Sequence, residues 1–458
     1  MSDPRPLSDW TDPAAAADRL AAVGLDEPAA RAKGDLFAST ADTLQNFPLS
    51  ADTPVRAFYV PGRIEVLGKH TDYAGGRSLL ATAQRGFCVL AARREDPVIR
   101  IAAAGGGGQV TFDVEPNLTP TLGHWSNYPM TVARRIARNF PTGLVGADVA
   151  FASDLPVAAG MSSSSALVVA CYLVLAAENN LKGRPQYYRD IHSPAELAGY
   201  LGTIENGQTF GGLDGDRGVG TFGGSEDHTA MLCCKAGRLA QYAYCPGRFE
   251  RDAPMPEGHT FAIAASGIAA EKTGRAMEDY NRASHLARAV VDAWNEATGR
   301  DDPHIAAALA SGTDATTQIG DVLRTARGDV PADKLVRRFE HFLTESEQII
   351  PAASDALDKG DLAALGRLAR RSQQAAEMLL GNQTPETSYL ASAAIELGAA
   401  AASSFGAGFG GSVWALIPTE KLETFLPQWK LRYQAAHPTP APHATFFNTN
   451  PGPPAREL

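Results

Sequence analysis

The sequence predicts an α+β fold of more than one domain, on three observations. Strand-like and helix-like stretches do not alternate as strict βα units, β-type texture in the first half gives way to mostly helical texture in the second, and no solenoid-type repeat recurs. At 458 residues the chain has room for about two or three cores. A hydrophobic content of 44% with 20% charged residues is that of a globular chain, and a net charge of −10 argues against a surface built for nucleic acid or anionic membranes.

Taken in order, residues 1–50 read as a helical lead-in, with helices over Pro13 to Val23 and Ala29 to Leu44. From Val55 the pattern becomes strand, turn at Pro61-Gly62, strand, then a polar loop; further strands are expected at Gly86 to Arg93, Val98 to Ala103 and Gln109 to Val114. A helix over Trp125 to Asn139 and a strand over Gly146 to Ala152 lead to Asp154-Leu155-Pro156-Val157-Ala158-Ala159-Gly160-Met161-Ser162-Ser163-Ser164-Ser165-Ala166, which runs into a helix over Ser165 to Asn179 capped by its serines. Pro194 to Asn206 is a further helix, followed by a glycine-rich insertion, Gly207 to Gly220. Strands at Leu239 to Ala243 and His259 to Ala265 bracket a Pro- and Gly-containing stretch read as the domain junction, giving domains 1–250 and 251–458. The second half reads as helices over Glu271 to Ala297, Asp314 to Arg324, Ala332 to Ile350, Leu362 to Leu380 and Thr387 to Ala400, then a glycine turn feeding a strand near Val413, with Pro-rich residues His437 to Leu458 on the surface.

The five cysteines form no CxxC pair, and the N-terminal residues lack a basic-then-apolar leader, so a cytoplasmic protein with reduced thiols is expected. Its longest apolar runs are too short for a bilayer. Nothing in the pattern specifies an oligomeric state.

Three glycine-rich elements carry chemistry. A triphosphate needs close backbone approach and several N–H donors, which small residues at a helix N-terminus supply together, and Gly160 to Ala166 meets both conditions. Its serine hydroxyls add oxygen donors of the kind Mg²⁺ takes. Alone, a serine-rich helix start is equally a plain cap, and it is not the GxxxxGK[ST] loop because no Lys follows. Asp227 follows two glycines, where a carboxylate could face a reacting hydroxyl or simply cap a loop; His70 and Asp72 could likewise cap a turn, and Gly406 to Gly411 could be a tight turn before a buried strand.

Together and in order, these elements resemble the GHMP small-molecule kinases, and within them the galactokinases. Pro61-Gly62-Arg63-Ile64-Glu65-Val66-Leu67-Gly68-Lys69-His70-Thr71-Asp72-Tyr73 is similar to the family's PGRxNxxGEHxDY, Pro156 to Ser165 to its PxGAGLSSSA, and Gly406 to Gly411 to its GAGFGG. Glu205-Asn206 with a later Gly-Gly-x-x-Asp, and Tyr280-Asn281-x-Ala, add weaker matches, so the likeness runs from about residue 35 to 420. It implies an N-terminal domain with a mixed sheet and helices, a helix-rich C-terminal domain with an antiparallel sheet, and an active site in the cleft.

The resemblance also implies roles. Asp227 would be the catalytic base or an electrostatic aid, and Arg63 would stabilise the transferring phosphoryl group. Gly160, Met161, Ser162, Ser163, Ser164 and Ser165 would meet ATP, with Gly408 and Gly410 shaping the wall of the site. Ser164 and Glu205 would hold Mg²⁺, and Lys69, His70, Asp72 and Tyr280 would read the sugar. The implied reaction moves the γ-phosphoryl group of ATP to the anomeric hydroxyl of galactose or a related monosaccharide, with a small-molecule sugar as substrate and neither nucleic acid nor membrane as partner. The chain departs from the family pattern at Glu65 (Asn), Lys69 (Glu) and His228 (Gln). Lys69 either pairs with Glu65, four residues away, or contacts an anionic acceptor such as galacturonate. A catalytically silent sugar and ATP sensor is the third reading.

Overall fold

The computed structural model describes residues 3–268 and 274–458. Two sheets organise it. The first contains β1 (Arg5–Pro6), β2 (Pro54–Leu67), β3 (Arg77–Arg93), β4 (Val98–Ala103), β5 (Gln109–Asp113), β6 (Ala147–Ser153), β7 (Arg238–Ala243) and β8 (Arg248–Pro254). The second contains β9 (His259–Ala265), β10 (Ala401–Phe405), β11 (Ser412–Pro418) and β12 (Thr445–Thr449), after which β13 (Arg456–Glu457) returns to the first. Strand order in the first sheet is β1-β2-β3-β6-β4-β5, with β13 on β2 and the β7–β8 hairpin on β3; β4 and β6 run parallel, which makes the sheet mixed. The second sheet, β10-β11-β9-β12, is antiparallel. This is the expected α+β, two-sheet architecture.

Helices α1 (Pro13–Ala22) and α2 (Glu27–Leu44) start on Asp12 and Asp26, whose side chains accept from Ala14 N and Ala29 N. Phe37, Ala41 and Leu44 of α2 pack with Tyr59, Cys88 and Leu90 on one face of the first sheet. On the other face lie α3 (Asn127–Asn139) and α4 (Ser163–Glu178). Helix α4 is buried on nearly every side from Ser165 to Leu175, which explains why its sequence is apolar all round instead of striped. Helices α5 (Pro185–Asp190), α6 (Pro194–Asn206) and α7 (Glu226–Cys233) follow, then α8 (Gly274–Thr298) opens the helical half. The expected helix from Glu271 begins within residues 269–273, which lie outside the described residues.

Several local expectations are revised. Pro61-Gly62 is a register shift inside one 14-residue strand, not a turn between two. A Cβ on Gly62 would come within 2.5 Å of Leu155 Cδ2, so glycine lets this strand touch the loop after β6. The polar loop stands at residues 68–76, but the strand after it begins at Arg77 and not at Gly86, because Ser78 and Thr82 are buried with hydrogen-bond partners, Glu226 and Gly452 O, that sequence does not reveal. The stretch taken as a junction contains β8, paired with β7. The sheet therefore changes between Pro254 and His259, and the border expected at 250 falls inside a first-sheet strand. Residues His437 to Leu458 do not simply follow the surface, since they include β12 and β13 and bury Pro451 to Pro453.

Trp414, fully buried in β11, donates Nε1 to Val66 O at 3.0 Å and so ties the two sheets at the end of β2. Among the described residues no helix is long and apolar enough to cross a membrane.

Candidate active site

A cleft of about 770 Å³ collects residues from β2, the loop before α4, α6, α7, α8 and the turn between β10 and β11. The loop before α4 is anchored at its start. Asp154 pairs with the buried Lys33 of α2 and accepts from Gly86 N at 2.9 Å. Further along, Ala158, Gly160 and Ser162 all have positive φ (51°, 73° and 59°), a backbone of the kind that forms anion-binding nests. Ser162 is the N-cap of α4 and makes no side-chain cap bond, so the leading N–H groups beside the cleft are not consumed by a side-chain cap. A serine thus holds the cap position as expected but without a side-chain cap bond, and α4 begins at Ser163. Gly160, Ser162, Ser163 and Ser164 line the cleft. Met161 and Ser165 do not: Met161 is buried with its carbonyl accepting from Arg63 N at 3.2 Å, and Ser165 Oγ donates to Asp227 Oδ2 at 3.2 Å.

The glycine turn after β10 braces this loop. A Cβ on Gly406 would sit 2.9 Å from Gly160 O, and Ser412 Oγ donates to Ala159 O at 2.5 Å. Gly406 and Ala407 reach the cleft. Gly408 and Gly410 stand one layer behind it, pressed against Asn382 and Ile268, so they support the wall without forming it.

At the centre is Arg63. It is only 4% exposed, donates Nε to Asp227 Oδ1 at 2.7 Å and Nη1 to Gly160 O at 3.2 Å, and lies 3.6 Å from Glu65 Oε2 and 3.7 Å from Glu226 Oε1. Asp227, Glu65 and Glu226 favour its charged form against the cost of burial and push its pKa further up. Asp227, in the first turn of α7, is thereby held between the guanidinium and Ser165. Glu226 was not singled out by sequence. It is buried, lines the cleft, accepts from Ser78 Oγ at 2.5 Å, and has its carboxyl pushed well up by burial and by Glu65. Its signal was available only as a second acid beside Asp227.

Elsewhere on the cleft, Asp72 Oδ2 accepts from Glu226 N at 3.1 Å, and burial raises its pKa. His70, in left-handed backbone (φ 57°), meets Tyr73 OH at 2.8 Å and Ala407 O at 2.9 Å, and its ring packs on Tyr280 at 5.3 Å between centroids. All three line the cleft with Gly223 and Gly224. Glycine is required there: a Cβ on Gly223 or Gly224 would overlap Tyr280 or Asp72 respectively. Asn281 clamps the preceding segment, accepting from Phe222 N at 3.0 Å and donating to Gly220 O at 3.1 Å. The glycine-rich insertion is thus tied down near this end, and Arg134 and Arg135 hold its Asp216 from α3.

Lys69 is not where a sugar contact needs it. The ammonium is fully buried outside the cleft lining, donating to Ser372 Oγ at 2.9 Å and Ser403 Oγ at 3.0 Å, while Glu345 accepts from Gly68 N and Ser372 Oγ, both at 2.9 Å. The chain leaves β2 at Leu67, and the Gly68–His70 turn sends the side chain inward. Lys69 therefore does not line the cleft as an acidic-substrate contact would, and its hydrogen bonds go to Ser372 and Ser403, with Glu65 feeling only its charge. Ser164 and Glu205 both border the cleft, and His228 Nε2 stands 3.2 Å from Glu205 Oε1. Among the described residues no group of three or more His, Cys, Asp or Glu side chains is arranged to hold a metal alone.

A nest-type loop at a helix start, an arginine and a carboxylate side by side, and a separate polar recess in one cleft define the class of small-molecule phosphotransferases. Comparison with known proteins makes the assignment specific. The GHMP kinases N terminal domain matches residues 127–214, the GHMP kinases C terminal domain residues 353–434, and the galactokinase galactose-binding signature residues 48–93. Galactokinase of Actinobacillus pleuropneumoniae serotype 3 (strain JL03) is 26% identical over 371 residues, covering 80% of this chain and 86% of the relative. Galactokinase of Roseiflexus sp. (strain RS-1) is 28% identical over 386 residues, covering 83% and 87%. The structure of Lactococcus lactis galactokinase complexed with galactose superimposes with a TM-score of 0.75 at 23% identity over 92% of this chain and 99% of that one, and Methanococcus jannaschii mevalonate kinase with 0.54 at 12% identity over 86% and 97%. The chain thus carries matches to both GHMP kinase domains and to the galactokinase galactose-binding signature, and it is similar to galactokinases over most of its length. It is a phosphotransferase with an alcohol group as acceptor, and its family implies ATP as the donor.

Proposed function

We propose that this enzyme transfers the γ-phosphoryl group of ATP to the anomeric hydroxyl of galactose or a closely related neutral monosaccharide. The observation that carries the reading is the contact between Arg63 and Asp227, 2.7 Å apart, set between the loop before α4 and the recess of His70, Asp72 and Tyr280. The phosphates lie on the Gly160–Ser164 loop and the α4 N-terminus, whose dipole and N–H groups favour anions. The base of the nucleotide occupies the apolar arm of the cleft, where Phe87, Trp125 and Phe151 gather. His70, Asp72 and Tyr280 hold the sugar hydroxyls.

In the transfer, the acceptor oxygen attacks the γ-phosphorus, its proton passes to the Asp227 carboxylate, and the bond to the ADP oxygen breaks. Arg63 meets the negative charge that spreads over the γ-oxygens, in a site too dry to screen it. Ser164 and Glu205 supply oxygen donors on the same cleft, the chemistry Mg²⁺ requires, and a Mg²⁺ ion held there would neutralise phosphate charge. The burial of Lys69 leaves the acceptor recess without the ammonium that motivated a uronate substrate, and the intact Arg63–Asp227 contact speaks for turnover over silence. The test is ADP release with a panel of galactose, glucose, galacturonate and galactosamine, with Asp227→Ala as control. Turnover of a neutral sugar that is lost in the control supports the reading; ATP binding without turnover of any sugar contradicts it.

A further inference from the structure

Three carboxylates crowd one guanidinium in this cleft. Asp227 claims Arg63 at 2.7 Å, while Glu65 and Glu226 approach the same group from 3.6 and 3.7 Å. Glu65 is 3% exposed and Glu226 5%, and one oxygen of each, Oε1, receives no donor from elsewhere in the protein. Two buried carboxylates cannot both ionise beside a cation already neutralised by a third. Protonation of both carboxyls resolves the crowding and leaves Asp227 as the one charged partner of Arg63.

We propose that Glu65 and Glu226 form a carboxyl pair that, neutral with both groups protonated, positions Arg63 for phosphoryl transfer and sets the charge around it. This rests on the sugar-kinase reading above, and neither residue needs to touch substrate. With the pair neutral, the guanidinium is shared only between Asp227 and the transferring group. When the pair loses its first proton, the new negative charge draws Arg63 away from the γ-oxygens.

The surroundings agree with such a titration. Glu65 faces Arg63 on its own strand, Lys69 in the following turn, Glu226 on α7 and Glu345 on the π-helical turn Leu343–Ile349, while Glu226 also faces Asp72, Asp227 and Tyr244. Burial pushes the Glu65 carboxyl up to about 7, against the pull of Arg63 and Lys69, and burial with the nearby Glu65 pushes Glu226 well above the ordinary carboxylate range. The pair thus sheds one proton near neutrality and keeps the other. The sign follows: kcat is highest with the pair neutral and falls as pH rises through that first loss.

The experiment is a kcat profile with saturating ATP and a neutral sugar from about pH 6 to about pH 9, with the wild type falling about tenfold toward high pH. Glu65→Gln, which cannot ionise, removes that descending limb; Glu65→Asn repeats the test with a smaller amide. Glu226→Gln, which still donates to Glu65, keeps a limb but moves it to lower pH. A flat wild-type profile, or a limb unchanged in the Glu65 variants, overturns the proposal. Thermal melts across the same range exclude unfolding as the source of any limb. If no sugar is turned over at any pH, the kinase reading falls and this proposal falls with it.

Discussion

Replacing Lys69 by Met tests the reassignment of this side chain from sugar reader to structural tie. The ammonium is fully buried and donates to Ser372 and Ser403 at 2.9 and 3.0 Å, and Ser372 in turn donates to Glu345. Methionine fills the volume but makes neither bond, so Ser372, which also donates to Glu345, and Ser403 lose the donor they share. Two hydrogen bonds to a charged group, each worth roughly 1.5–3 kcal/mol, give a loss of about 3–6 kcal/mol. Lys69→Glu is worse, because it brings a second carboxylate toward Glu345. The assay is a urea unfolding midpoint for each variant, followed by sugar KM on the folded fraction. The expected result is a large fall in midpoint, with no gain or loss of preference between galactose and galacturonate. A Met variant as stable as wild type whose acidic-sugar KM alone rises would refute the burial argument and restore Lys69 to the substrate.

Other perturbations separate the parts of the site. Asp227→Asn keeps the shape beside Arg63 and Ser165 but cannot take a proton, so kcat should drop by about 10²–10⁴ while ATP affinity, read by titration calorimetry, holds within a few-fold. Gly224→Ala places a methyl group into Asp72, and the expected outcome is a raised sugar KM with little change in ATP KM; equal rises in both would mean the whole cleft had shifted. His341 is fully buried beside Arg338, and burial holds its pKa well below the usual 6.5, so the neutral ring is the folded form. Its contribution is therefore complete above about 6.5 and declines as pH falls below that value, because the unfolded chain takes up a proton that the folded one refuses. Melting temperature should fall on acidification, and His341→Asn should flatten that slope.

Legibility from sequence followed how local the determining physics is. The strand texture of Val55 to Val60, the helix of Pro194 to Asn206 and the three glycine motifs could be read because propensity and close approach act within a few residues. Arg77 to Gln84 could not, because its Ser78 and Thr82 side chains and its Gln84 N–H are satisfied by partners as far away as Glu226, Gly452 and Thr449. Arg63, Asp72, His70, Tyr280 and Asp227 do converge on one cleft, drawn from β2, the following turn, α8 and α7. Lys69 was misplaced because motif spacing gives no rotation: once β2 ends at Leu67, the turn decides which neighbour points out. Glu226 was passed over because an acid next to a candidate base looks like ordinary helix-start charge until burial and Arg63 are seen together. Gly408 and Gly410 belonged to the motif but not to the surface, since the motif serves packing against Asn382 and Ile268 as well as the cleft.

The central claim is that Asp227 and Arg63 move the γ-phosphoryl group of ATP to the anomeric hydroxyl of a neutral sugar. The most direct measurement is ³¹P NMR of the product formed from ATP and galactose by wild type and by Asp227→Asn. The account expects an anomeric sugar phosphate growing in step with ADP in the wild type and almost none in the variant. Phosphate on another hydroxyl, product formation undiminished in Asp227→Asn, or ADP appearing only with inorganic phosphate would contradict it.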